Sequence, residues 1–212
     1  MNGNAVYDYG FWSIVIFNIG LFLLFVLSFV RPMKKVEWKR MGVLVAFIVA
    51  LFTEMFGFPL TIYFLTGILG NRYPSLNPFS HRSGHLWLVF LGIENSHTAF
   101  AVIHAVSVGL VVGGLVLMAL GWKKIHKAYG ELVTSGIYSR VRHPQYLGIF
   151  LFMIGFLIQW PTLVTVAMFP ILIFAYYKLA KKEEGYLKHN FGYIYLEYQN
   201  KVPAFIPRLF SR

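Results

Sequence analysis

The chain has 212 residues, of which 58% are hydrophobic and 13% charged, against roughly 25% charged residues in an ordinary soluble domain. That balance excludes a soluble globular protein and predicts an integral membrane protein, all-α and polytopic. The absence of cysteine excludes disulfides, iron-sulfur clusters, thiolate zinc sites and cysteine nucleophiles, and in a membrane chain a formal net charge of +11 reports on loop topology before it reports on nucleic acid.

Five apolar runs follow in chain order. The first, residues 10 to 30, is closed by Arg31-Pro32 and the basic cluster Arg31, Lys34, Lys35, Lys39 and Arg40. It follows Asp8 rather than a basic stretch and exceeds the ~7 to 15 apolar residues of a signal-peptide core, so it is expected to stay as an anchor. The second, 41 to 69, is longer than the ~20 residues that one straight crossing needs. It holds Glu54, Gly57 and Pro59, which predicts a tilted or kinked helix. Residues 70 to 96 read as a loop with an interfacial turn at 86 to 92. The third run, 98 to 122, carries Gly109 and Gly113 as a GxxxG, with Gly114 beside them, a smooth face for close helix packing. The fourth and fifth, 146 to 159 and 161 to 181, are split by Trp160-Pro161 and form a hairpin. The fourth is short for a span and is expected to start among headgroups or to be partly re-entrant. A short helical tail follows.

The 19 Lys and Arg residues test this scheme: five lie at 31 to 40, two at 70 to 96, five at 122 to 145 and seven from Lys178 onward. Rich and poor loops alternate as five helices require, with the N-terminus outside and the C-terminus in the cytoplasm. One membrane domain over 1–212 is expected, with spanning segments in 1–121 and any cofactor-binding core in 122–212, on the cytoplasmic side.

Two stretches hold chemistry. In TSGIYSRVRHPQYLG, Thr134 to Gly148, the residues Tyr138, Arg140, Arg142, His143 and Tyr146 crowd a helix start at Pro144, where free backbone donors and the helix dipole favour an anion. The bland alternative is a pair of arginines holding lipid phosphates. In KKEEGYLKHNFGYIYLEYQNKVPAFIP, from Lys181, the adjacent Glu183 and Glu184 precede Tyr186, Phe191, Tyr193, Tyr195 and Tyr198. Carboxylates and aromatic faces suit a cation, although an amphipathic interfacial helix would show the same pattern.

RHPQYLG, the EE pair about 40 residues later, FGYIYLEY and VPAFIP together resemble the isoprenylcysteine carboxyl methyltransferase and phospholipid methyltransferase superfamily, over roughly residues 127 to 207. The resemblance implies S-adenosylmethionine as methyl donor and a lipid or prenyl-like acceptor, with no role for nucleic acid. Residue by residue it implies a cofactor pocket of His143, Tyr146, Leu147, Gly148, Glu183 and Glu184, with Tyr195 and Tyr198 as second choices. Arg142, His143 and Glu184 are the expected catalytic groups. Gly136, Tyr138, Pro203 and Pro207 read as scaffold. In an in-line displacement the cofactor carries the activation, so alignment and water exclusion are the protein's main tasks. Arg140 or Arg142 would orient a carboxylate acceptor, whereas Glu183, Glu184 or His143 would take a proton from an amine or thiol.

Outside these motifs, Glu54 in mid-segment should face the protein interior, as a hydrogen-bonded group, a lining of a substrate path or a partner for His104. Among His81, His85, Glu94, His97 and His104, the pair His81 and His85 is four apart and could share a helical face, but Gly84 lies between them and no second paired box follows, so no metal site is expected. Two other classes compete with methyl transfer: an NADPH-dependent membrane reductase like the sterol reductases, and a transporter or non-catalytic scaffold.

Overall fold

The computed structural model describes residues 13, 15–17, 19–20, 24, 45, 47–55, 60–69, 81–93, 95–128 and 130–207. Their regular structure is entirely helical: α1 (Phe47–Met55), α2 (Leu60–Leu69), α3 (Leu86–Phe90), α4 (His97–Lys127), α5 (Pro144–Gln159) and α6 (Leu163–Lys201), with 3-10 turns at His81–Gly84 and Gly136–Ser139.

α4 and α6 are long and apolar enough to cross a membrane, and α1 with α2 makes a third candidate if the two, bent by 63°, are one span. The residues between α1 and α2, on which the kink expected in the second run falls, lie outside the described residues. At 31 residues and 1.5 Å per residue, α4 is about 46 Å long, more than a ~30 Å hydrocarbon core. Ser96 begins it by accepting the Ala99 N–H at 3.2 Å, and Lys124, His126 and Lys127 occupy its last turn, where cations oppose the helix dipole. Val102, Val106, Val112, Val116 and Leu120 are exposed along it, a surface suited to lipid. α5 has 16 residues, short of a full crossing. The expected count of five spans is thus not reached among the described residues. The first run and the basic cluster after it lie largely outside them, although the seven positions described between 13 and 24 are helical.

The chain divides into two compact units. In the unit of residues 1–107 and 156–172, Leu51, Met55, Ile62, Leu86, Val89 and Trp160 form the core, with Leu65 and Phe156 packed on it. A Cβ on Gly84 would stand 1.8 Å from the Trp160 ring, so only glycine fits. Buried Glu54 accepts the Thr61 N–H at 3.0 Å, which puts a carboxylate at the N-terminus of α2, where orphan amides and the dipole favour it. Thr61 Oγ1 in turn accepts the Leu163 N–H at the start of α6, at 3.0 Å. His104 is not the partner of Glu54; its Nδ1 meets Gln159 Nε2 at 3.0 Å. His85 Nδ1 donates to the Gln159 carbonyl at 2.9 Å and Trp87 Nε1 to that of Leu157 at 3.0 Å, so two rings cap carbonyls at the end of α5, where no basic residue is present. Glu94 lies outside the described residues.

In the unit of residues 108–155 and 173–212, α4 and α5 touch through glycine. A Cβ on Gly114 would lie 2.5 Å from the Gly148 carbonyl oxygen, and one on Gly148 2.6 Å from that of Gly114. Gly109 and Gly113, expected to provide the smooth face, have nothing within 4 Å of an added Cβ. The close approach belongs to their neighbour.

Candidate functional site

Proline at the first position of α5 sets the local geometry. The residue before a proline is driven to extended backbone, and here Arg142 N–H donates to the Pro203 carbonyl at 2.9 Å and His143 N–H to that of Ala204 at 3.0 Å. Two consecutive amides of the RHP stretch are thus held by two consecutive carbonyls of the C-terminal tail. Tyr198 supports them by donating to the Tyr138 carbonyl at 2.6 Å.

α6 contributes the two glutamates and then turns back. Residues 15 apart in a straight helix are about 22 Å apart, yet Gln199 Nε2 reaches Glu184 Oε2 at 3.3 Å. The bend is at Gly192, whose φ of 52° and ψ of −125° break the helical run in a region that glycine alone enters readily.

Glu184 is the hub of the site. Its Oε1 accepts from Arg142 Nε at 3.1 Å and Nη2 at 2.7 Å, and lies 3.3 Å from His143 Nε2. Its Oε2 accepts from Lys181 at 3.1 Å and from Gln199. Arg142 spends its remaining nitrogen, Nη1, on the carbonyls of Gln199 at 2.7 Å and Val202 at 2.5 Å, closing the end of α6, where carbonyls lack helical partners. The Arg142 and Glu184 side chains are 9% and 4% exposed, so this ion pair is buried and hydrogen-bonded on both sides, the condition under which such a pair holds.

Glu183 is different. Its side chain is 46% exposed, its Oε2 is 3.8 Å from His143 Nδ1, and its Oε1 accepts a short hydrogen bond from Tyr146. His143 is buried between aromatic rings, with Tyr146 at 5.6 Å and Phe205 at 5.5 Å between centroids; Tyr176 continues the wall 5.6 Å from Tyr146. Burial pushes the His143 imidazole below its ordinary value of 6.5, and the charges of Arg142 and Lys181 push the same way, against the opposing pull of Glu184. The ring is therefore neutral at pH 7, its Nε2–H given to Glu184 and its Nδ1 lone pair turned to the Glu183 side.

Arg142, His143, Tyr146, Glu183 and Glu184 thus form one connected group, drawn from two motifs 40 residues apart. Arg140 stands apart from it, exposed at the end of the Gly136–Ser139 turn. Leu147 is half-buried, and Gly148 is committed to its contact with α4. Tyr195 is 1% exposed, and its hydroxyl has no hydrogen-bond partner among the described residues. Sequence reading missed Lys181, Tyr176, Gln199 and Phe205. Lys181 was within reach as an i,i+3 partner of Glu184, and Phe205 sits inside the VPAFIP motif; Tyr176 and Gln199 gave no sign.

A family model described as Phospholipid methyltransferase matches residues 102–193. Protein-S-isoprenylcysteine O-methyltransferase of Schizosaccharomyces pombe is 38% identical over 77 residues, 36% of this chain and 33% of that protein. Protein-S-isoprenylcysteine O-methyltransferase B of Arabidopsis thaliana is 32% identical over 78 residues, 36% of this chain and 40% of that one. The Homo sapiens enzyme of the same name is 35% identical over 77 residues, 36% and 27% of the two chains. The chain thus spans about a third of the length of these curated relatives. No solved structure matches it. The stretch 102–193 is thus similar to phospholipid methyltransferases, and 77 or 78 residues of the chain are similar to isoprenylcysteine O-methyltransferases.

Proposed function

We propose that this protein is an integral membrane methyltransferase that moves a methyl group from S-adenosylmethionine to a lipid-like or prenylated acceptor. The observation that carries the reading is the convergence of the RHP and EE motifs on one buried hub, with Glu184 Oε1 bonded to Arg142 at 2.7 Å and 3.3 Å from His143. The relatives' names, all O-methyltransferases acting on isoprenylcysteine, favour an oxygen acceptor.

The residues present fit such a cofactor. A half-exposed carboxylate on Glu183, the rings of His143, Tyr146 and Tyr176, and the unmatched hydroxyl of Tyr195 offer an anion, aromatic faces and a donor. A cation is drawn to the first two. S-adenosylmethionine, when bound, supplies an electrophilic methyl carbon and a thioether leaving group. The chain's part is alignment and exclusion of water. His143, Tyr146, Leu147 and Glu183 face the ligand in this reading. Arg142 and Glu184 hold them in place, because their hydrogen-bonding capacity is nearly filled by protein groups. Gly148 and Tyr198 likewise position the wall rather than touch the ligand. A carboxylate acceptor needs no base; for a protonated acceptor, Nδ1 of neutral His143 is the atom that takes the proton.

The site is cytoplasmic in this reading and the N-terminus outside, with five crossings, as the alternation of basic loops requires. The chain forms a single membrane domain, 1–212, whose cofactor-binding part is 122–212.

Incubating the detergent-purified protein with methyl-labelled S-adenosylmethionine and either a prenylated cysteine or phosphatidylethanolamine vesicles tests the activity. Label transferred to the prenylated acceptor is the expected result. Transfer to neither by folded protein, with stabilisation by NADPH instead, overturns it.

A further inference from the structure

We propose that Lys181 holds the carboxylate of a prenylated methyl acceptor and so makes the site select an acid over a neutral amide or ester, an inference that rests on the methyl-transfer reading above. A carboxylate acceptor needs a cation beside the site, and the sequence leads first to the arginines. Neither serves. Arg142 is 9% exposed, and its Nε, Nη1 and Nη2 all donate to Glu184, Gln199 or Val202. Arg140 is exposed and apart from the group. Lys181 differs from both. Its Nζ lies 3.1 Å from Glu184 Oε2, on the carboxylate whose other oxygen is 3.3 Å from His143 Nε2, yet its side chain is 49% exposed. An ammonium has more N–H donors than the one that Glu184 occupies, so this one is tethered to the site and open to a ligand.

Apolar surface adjoins the ammonium. The Tyr177 ring is 5.7 Å from Lys181 Nζ and Tyr177 is 46% exposed. Phe205 stands 6.3 Å from that ring and 5.5 Å from His143, so a line of rings leads from the ammonium to the imidazole. Phe174, also exposed, shares the helical face of Tyr177 and Lys181 by its spacing. The fifth apolar run ends at Lys181, where an amphipathic acid would have its chain on the rings and its head on the charge. One oxygen of the acceptor carboxylate accepts from Nζ; the other bonds to the methyl carbon as the carbon-sulfur bond breaks, the electron pair stays on sulfur and no proton moves. The ester formed has lost its charge, and with it the charge-assisted bond to Lys181. The group that selects the acid thus favours release of the product.

Calorimetric titration of the detergent-purified protein, loaded with S-adenosylhomocysteine, with N-acetyl-S-farnesylcysteine and with its carboxamide tests the assignment. Wild type should bind the acid about 5-fold or more tightly than the amide, and added salt should shrink that preference. Lys181→Met should bind the two alike, Lys181→Arg should restore the preference, and S-adenosylhomocysteine affinity should stay within about 2-fold of wild type in both. In rate measurements on the acid, KM rises in Lys181→Met with kcat held. Lys178→Met removes a neighbouring charge whose Nζ lies 4.5 Å over the Phe174 ring, and should keep the preference. A preference retained in Lys181→Met, lost equally in Lys178→Met, or unaltered while acid, amide and S-adenosylhomocysteine all weaken together, overturns the inference alone. So does methyl transfer to phosphatidylethanolamine and not to the acid. Wild type that folds and binds no S-adenosylhomocysteine overturns the methyl-transfer reading and this inference with it.

Discussion

Arg142 and Glu184, 42 positions apart, are joined by two hydrogen bonds of 3.1 and 2.7 Å to a single carboxylate oxygen, and the same guanidinium closes the end of α6 through Gln199 and Val202. One side chain therefore ties the loop before α5, the middle of α6 and the C-terminal tail. Removing it takes the two shared bonds off a buried carboxylate, which keeps His143, Lys181 and Gln199, and leaves two carbonyls without this donor. Arg142→Ala is expected to cost about 3 to 5 kcal/mol. Arg142→Lys recovers only part of this, since an ammonium has no planar fork. Chemical denaturation in detergent, read by circular dichroism, checks both.

His143 gives the site a pH dependence. Its imidazole lies below the ordinary value of 6.5 when folded, so as pH falls through 6.5 the unfolded chain takes up the proton first. Stability rises with pH wherever the unfolded state binds more protons; it is full above about 6.5 and declines as the pH drops below that toward the folded value. Melting temperatures from pH 7.5 to 5 should fall for wild type and fall less for His143→Gln. Parallel profiles would show that the ring is not held neutral.

The bend at Gly192 rests on a backbone conformation, not on space. An added Cβ meets nothing within 4 Å, but φ is +52°. Gly192→Ala should therefore cost about 1 to 3 kcal/mol through strain, and should weaken ligand binding by displacing Tyr195 and Gln199. Gly185→Ala, on the same helix and equally open, should stabilise by about 0.5 to 1 kcal/mol. Thermal melts of the two variants, side by side, distinguish strain from crowding.

The contact of α4 with α5 separates three neighbouring glycines. Gly114→Ala places a methyl 2.5 Å from a backbone oxygen and should cost about 1 to 3 kcal/mol by overpacking. Gly109→Ala and Gly113→Ala, each with open space, should be neutral or mildly stabilising. Denaturation midpoints of the three proteins test this ordering.

Much of this was legible in the sequence where a residue type had few options. Runs of apolar residues imposed helices, Pro144 imposed a helix start, and Glu54 in an apolar run had to turn inward. What was not legible depended on which face of a helix meets which neighbour. In α4 nearly every face is apolar, so polarity offers no contrast to orient it, and the GxxxG spacing named Gly109 and Gly113 first, with Gly114 added, without telling which of the three makes the close approach. The partner of Glu54 was equally hidden: an amide seven residues on, beyond the break between α1 and α2. At the candidate site, the RHP and EE motifs named the residues but not their occupancy. That Glu184 is filled by four side chains while Glu183 stays half-exposed follows from the fold-back at Gly192, which a run of helix-forming residues on both sides concealed.

The central claim is that the group around His143 and Glu183 binds an S-adenosyl cofactor. Calorimetric titration of S-adenosylhomocysteine into detergent-purified wild type, His143→Ala and His85→Ala tests it most directly. The account predicts saturable binding by wild type, retained in His85→Ala, whose ring caps a carbonyl in the other unit, and weakened at least about 10-fold in His143→Ala. Equal affinities in the two variants, or no binding by folded wild type, would contradict it.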